Sequence, residues 1–282
     1  MYMPTVEIVV ARYNESLNWL NEYPFNQFNY IVYNKGDDYR FAKNRVKQII
    51  NIKNVGRCDH TYLYHIVEYY KHLADICVFF TGSIGDIPAK KQTAIRILTN
   101  IIKSNYTHAY FIGTHHDSVH MAFKDFKLDS HACECQANIS KNSETLLYKS
   151  VLRPYSRWYY YFFKNTISHW STFGGIFSID KRDIIQHPLN RYMSILQTVS
   201  THSNPEAGHY VERSWGVIFY PLIHTIKQYK DPTIVPKARL RKLFNRKNML
   251  GRPGVRIQRG RIQRGRILAR RLNRLRRRNN HN

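Results

Sequence analysis

Only four cysteines occur in these 282 residues, and Cys58, Cys77, Cys133 and Cys135 give neither a disulfide framework nor the paired Cys-x-x-Cys spacing of a zinc site. Cys133 and Cys135 stand too close for an easy internal bridge, so a reducing, cytoplasmic or otherwise intracellular setting is expected. No run approaches the roughly 18 apolar residues of a membrane span. The first apolar run, Val6–Ala11, is short and contains Glu7, which is unlike a secretory signal. The aromatic cluster Trp158–Phe163 is also short and flanked by Arg157 and Lys164, as suits a core helix or a surface patch. Acidic residues are missing altogether from Lys237 onward, where 18 Lys and Arg accumulate. The residues before Lys237 carry 26 basic and 19 acidic groups, so most of the net charge of +25 belongs to the tail.

What is present is a chain with 43% hydrophobic residues, enough for a full core. Short apolar, β-branched runs predict strands at Val6–Ala11, Tyr30–Tyr33, Ile76–Thr81, Ala109–Gly113 and Gly174–Ile179. Helical spacing lies between them. Asn14 can cap a helix bearing Leu17 and Leu20, and Asp59 one bearing Leu63, Ile66, Val67 and Tyr70. Pro88 suits the first turn of a third, with Ile95, Leu98, Ile101 and Ile102. Helices are further expected near Arg191–Ser200 and Tyr210–Lys227, and residues 114–150 read as a long functional loop or lid. This alternation predicts an α/β fold, with a mainly parallel central sheet and helices on both faces. The boundaries are a domain over 1–232 and a disordered basic tail over 233–282.

Five segments carry groups suited to chemistry. Arg12, Asn14 and Glu15 end the first strand, where open α/β sheets bind ligands; Arg12 can pair with phosphate or carboxylate, while Asn14 and Glu15 also suit a helix amino end. Gly56-Arg57 precedes a helix whose free N–H groups favour an anion. Gly82 and Gly85 permit close backbone approach, and Asp86 could ligate magnesium or manganese, although it is not part of an Asp-x-Asp pair. Thr114–His120 holds three histidines and Asp117, at a spacing that matches no zinc pattern. Gly174-Gly175 lets a substrate lie against backbone. Glu206 and Glu212 are too far apart to share one helical face, so at most one is expected in a site, as a general base.

The order of these segments resembles one family. Val-Ala-Arg-Tyr-Asn-Glu-x-Leu-x-Trp-Leu (10–20), Tyr-Asn-Lys-Gly (33–36), Asn-Val-Gly-Arg-x-x-His-Thr-Tyr-Leu-x-His-Ile-Val-Glu-x-Tyr (54–70) and Asp-Ile-x-Val-Phe-x-x-Gly (75–82) are similar to an uncharacterised domain of unknown function. That family occurs in fungal and large-virus proteins and is grouped with the nucleotide-diphospho-sugar glycosyltransferases of the A-type fold. The Gly-Gly segment and Glu-Arg-x-Trp (174–215) look like its C-terminal part. The resemblance covers about residues 5–225. It implies an enzyme that moves a sugar from a nucleotide-sugar donor to a hydroxyl acceptor. Arg12, Asn14, Glu15 and Gly82 would line the donor pocket, and Arg57 would stabilise the leaving diphosphate. Asp86, or second Asp117, would hold manganese or magnesium. Glu212, or second Glu206, would deprotonate the acceptor.

Arg-Ile-Gln-Arg-Gly occurs twice over 256–265, and Arg recurs every five residues from 256 to 276. That period fits neither helix nor strand. Neutralised phosphates release counterions, so residues 237–282 suit non-specific binding to nucleic acid or an anionic surface. A non-catalytic, transferase-like body with such a tail is the rival reading.

Overall fold

A computed structural model describes residues 4–115 and 148–229. Asp117, most of the loop expected over 114–150 and the arginine-rich tail lie outside the described residues.

The strands are β1 (Val6–Arg12), β2 (Tyr30–Asn34), β3 (Val46–Asn51), β4 (Ile76–Thr81), β5 (Tyr110–His115), β6 (Trp170–Ser171), β7 (Phe177–Asp180) and β8 (Ile226–Tyr229). The α-helices are α1 (Arg57–Glu68), α2 (Pro88–Lys103), α3 (Tyr155–Phe163), α4 (Lys181–Ile185), α5 (Leu189–Gln197) and α6 (Glu206–Ile218). The main sheet runs β3-β2-β1-β4-β7; its first four strands are parallel and β7 is antiparallel to β4. A second sheet, β6-β5-β8, was not foreseen. It meets the first at Ser178, whose hydroxyl accepts from the Tyr110 N–H (2.7 Å) and donates to the Tyr110 carbonyl (3.0 Å).

Alternation along the strands divides the core in two. Val9, Ala11, Tyr33, Cys77 and Phe79 face a cluster shared with α1, α3, α5 and α6, whereas Ile8, Val10, Val32, Val78 and Phe80 face one shared with α2. Both faces are therefore covered, the condition under which a parallel sheet reads as continuous apolar runs. Among the described residues no helix is long and apolar enough to cross a membrane.

Three expected elements differ. The helix expected after Asn14 is replaced by two 3-10 turns, Asn18–Asn21 and Phe25–Gln27, because Leu17 takes a left-handed backbone (φ 54°) and Asn14 is used elsewhere. Asp59 lies inside the first turn of α1, and Gly56 is its N-cap at φ 59°. A Cβ on Gly56 would come within 2.2 Å of the Val199 carbonyl oxygen, so conformation and space both require glycine. The expected helix over Tyr210–Lys227 starts at Glu206 and stops at Ile218, ahead of Pro221, and its distal part becomes β8.

Candidate functional site

Strand order reverses between β1 and β4, since β2 and β3 lie on one side of β1 and β4 on the other. The carboxyl ends of these two strands form the crevice in which open α/β sheets take ligands. Residues from four of the five segments gather around it.

Arg12, Asn14 and Glu15 make one wall, in different ways. Arg12 is 1% exposed, and its guanidinium donates to the Glu15 carbonyl (2.8 Å), the Asn34 side chain (2.6 Å) and the Asp38 carbonyl (2.5 Å). It also lies over the Phe41 ring at 4.1 Å, and burial lowers its pKa. Asn14 accepts from the Asp38 N–H at 3.2 Å. Arg12 and Asn14 thus fix the 34–41 segment. Glu15 instead accepts from the Tyr13 N–H (2.7 Å) and lies against Gly82, where a Cβ would come within 2.6 Å of its Oε2. Glu15 faces the β1–β4 crevice.

The opposite wall is built by α1, α6 and the Gly174-Gly175 turn. Asp59 is 3% exposed and accepts from the Trp215 indole N–H at 3.0 Å. Glu212, one turn before Trp215 on α6, accepts from the Gly174 N–H at 2.8 Å. Burial first, and the Glu212 charge second, raise the Asp59 pKa to about 7. The same groups push up the neighbouring Cys58 thiol and Tyr62 phenol, again with burial the larger cause, so Cys58 is not a ready nucleophile. Gly174 and Gly175 have φ of 89° and 66°. A Cβ on Gly175 would stand 2.9 Å from both the Cys58 sulfur and Thr81 Cγ2, and the Gly175 carbonyl accepts from Tyr62 at 2.8 Å. Gly175 is thus a glycine because protein packs against it, whereas Gly174, with only the Lys90 stem in ordinary contact, aims its N–H at Glu212.

Two lysines absent from the sequence reading belong to the same site. Lys35 donates to the carbonyls of Val55 (2.6 Å) and Arg57, and burial lowers its pKa to about 8. Lys90 donates to the hydroxyls of Thr81 (3.2 Å) and Ser83 (3.0 Å). Both sit in motif neighbourhoods, Tyr-Asn-Lys-Gly and the Pro88 helix start. Lysine alone gives no signal there, being usually solvated.

Glu206 lies apart from this cluster. It is 1% exposed, and its carboxylate is satisfied by the Ser150 N–H (2.8 Å), Arg153 Nε (3.2 Å) and the Tyr210 hydroxyl (2.6 Å). It ties the 148–153 segment to α6. Glu206→Ala should therefore lower stability by about 3–5 kcal/mol in denaturant unfolding, because it orphans three donors in a buried place. A loss under 1 kcal/mol would remove that structural role.

Asp86 is exposed, and among the described residues no group of three His, Cys, Asp or Glu could hold a metal ion. The residues present do not fit a divalent-cation site there. Cys58 and Cys77 are free thiols. A cavity of about 440 Å³ beside Asp75, Asp180 and Arg182 lies at the other end of the sheet, with Asp180 already paired to Arg182 at 2.8 Å.

No curated protein and no solved structure matches this chain. Residues 8–231 match a family described as "Protein of unknown function (DUF3431)".

Proposed function

The chain belongs to the DUF3431 family, and from that premise we propose that residues 1–232 form a glycosyltransferase-A-like domain that moves a sugar from a nucleotide-sugar to a hydroxyl acceptor. The observation that carries this reading is the pairing of carboxylates with unneutralised cations outside the carboxyl ends of β1 and β4, at the reversal of strand order. Transfer needs both. The acceptor oxygen bonds to the anomeric carbon as the bond to the diphosphate oxygen breaks. The acceptor proton passes to Glu212, and the charge that develops on the leaving diphosphate is met by Arg57 and the amino end of α1. Gly174 holds Glu212 from outside the reaction, leaving its Oε2 for the acceptor. Glu15 and Gly82 line the donor side, and Arg12 and Asn14 keep that wall in shape. Residues 237–282 add a separate, charge-driven affinity for nucleic acid or anionic surfaces.

Thermal unfolding of the full chain with a panel of nucleotide-sugars, with and without manganese, tests this directly. A donor at 100 times its Kd adds about 2.7 kcal/mol, a rise of roughly 5–10 °C for a domain of this size. Free nucleosides at matched ionic strength should give no rise. If no nucleotide-sugar or nucleoside diphosphate shifts the transition at millimolar concentration, the reading fails.

A further inference from the structure

Some cations of the described residues pair with carboxylates, whereas others, Arg45, Arg191 and Lys227 among them, donate to backbone carbonyls. Lys91 pairs with Glu22 at 2.6 Å, Arg153 with Glu206 at 3.2 Å and Arg182 with Asp180 at 2.8 Å. Lys35, Lys90 and Arg57 have no carboxylate within ion-pair distance among the described residues, although Glu15, Asp59 and Glu212 are all nearby. Lys35 is held by two backbone carbonyls and Lys90 by two hydroxyls, all neutral oxygens. An ammonium has three donors, so each lysine keeps one to offer.

Their placement makes them one site. Arg57 and Lys90 both act electrostatically on Cys58, and Lys35 feels Cys58 and Asp59 in turn. Lys35 is anchored to the Arg57 carbonyl, one residue before Cys58. On the other side, Thr81, which carries Lys90, would share the Gly175 Cβ position with the Cys58 sulfur. Cys58 thus lies near both lysines. The adjacent carboxylates have other donors: Trp215 holds Asp59, Gly174 holds Glu212 and Tyr13 holds Glu15. Positive charge on the half-buried Lys35 and Lys90 is costly without a counter-ion, and an anion of more than one charge relieves it, with the exposed Arg57 within reach of the same anion.

We infer that Lys35, Lys90 and Arg57 form a diphosphate-binding site around Cys58, with Lys90 braced by the Thr81 and Ser83 hydroxyls. The inference rests on the transferase reading only for the nucleoside and sugar beyond the diphosphate. Because Lys35 carries its charge below about pH 8, affinity should weaken as pH rises through 8.

Calorimetric titration of the full chain with inorganic pyrophosphate at 0.15 M salt (about one Debye length of 8 Å) tests it. Lys35→Met and Lys90→Met keep the aliphatic stems, and each should weaken pyrophosphate binding at least tenfold, with the melting temperature kept. Lys90→Arg keeps the charge and should retain most of the affinity. Binding by the arginine-rich tail would persist equally in all variants. Unchanged affinity in both Met variants overturns the inference, as does Lys90→Arg binding no better than Lys90→Met. Pyrophosphate binding without sugar turnover removes the transferase reading and leaves this one. Turnover whose KM is unmoved by either Met variant does the reverse.

Discussion

Glu212→Gln is expected to slow sugar transfer by about 10²–10⁴-fold while donor affinity and melting temperature stay near those of the unchanged chain. The substitution is close to isosteric, and the amide oxygen can still accept from the Gly174 N–H that Glu212 Oε1 now accepts at 2.8 Å. What is lost is the ability to take a proton, together with the charge that helps to raise the Asp59 pKa. The contrast with Glu206 makes this informative. Both carboxylates lie on α6, but Glu206 has Ser150, Arg153 and Tyr210 around it, and Glu212 has one backbone donor. Change at Glu206 should appear as unfolding, and change at Glu212 as lost kcat with donor Kd held. Nucleotide release followed at saturating donor gives the first quantity, and calorimetry the second. Wild-type turnover in Glu212→Gln would take the base role from Glu212.

The central strands were legible because β1, β2 and β4 are buried along most of their length, so their sequences are largely apolar runs. β3 was not, since it is an edge strand reading Val-Lys-Gln-Ile-Ile-Asn with several exposed positions and no clean period. The turn after β1 misled because Asn14 and the leucines imitate a capped helix, whereas tertiary contacts with Asp38 and the core decide the backbone. For the candidate site, four of the five segments singled out in the sequence meet at one crevice, but their contacts were not legible. Asp59 reads as a helix cap and becomes a buried carboxyl under Trp215, which depends on residues 156 positions apart meeting. Lys35 and Lys90 gain meaning only from the absence of acidic partners, a property of packing rather than of sequence.

Asp59→Asn should stabilise the fold at neutral and higher pH, and by an amount that depends on pH in a fixed way. In the unfolded chain Asp59 ionises near 3.8, whereas in the folded chain burial and Glu212 hold its proton up to about 7. The folded state thus binds the extra proton between those values, and stability attributable to Asp59 falls as pH rises through that window. Well below pH 3.8 the carboxyl is neutral in both states, and the variant and wild type should unfold alike. Above pH 7 the wild type carries the full cost of a buried charge, on the order of 2–4 kcal/mol, which the amide avoids while still accepting from the Trp215 N–H. Denaturant midpoints from pH 4 to 8 measure this, and an advantage that is flat with pH would refute the assignment. Arg57 and Lys35 favour ionisation and Trp215 donates to it, so what keeps Asp59 protonated is its depth beneath α6 and the proximity of Glu212. A carboxyl kept at such a cost beside a proposed base marks the crevice as shaped against stability. Such conflicts are expected where a fold carries function.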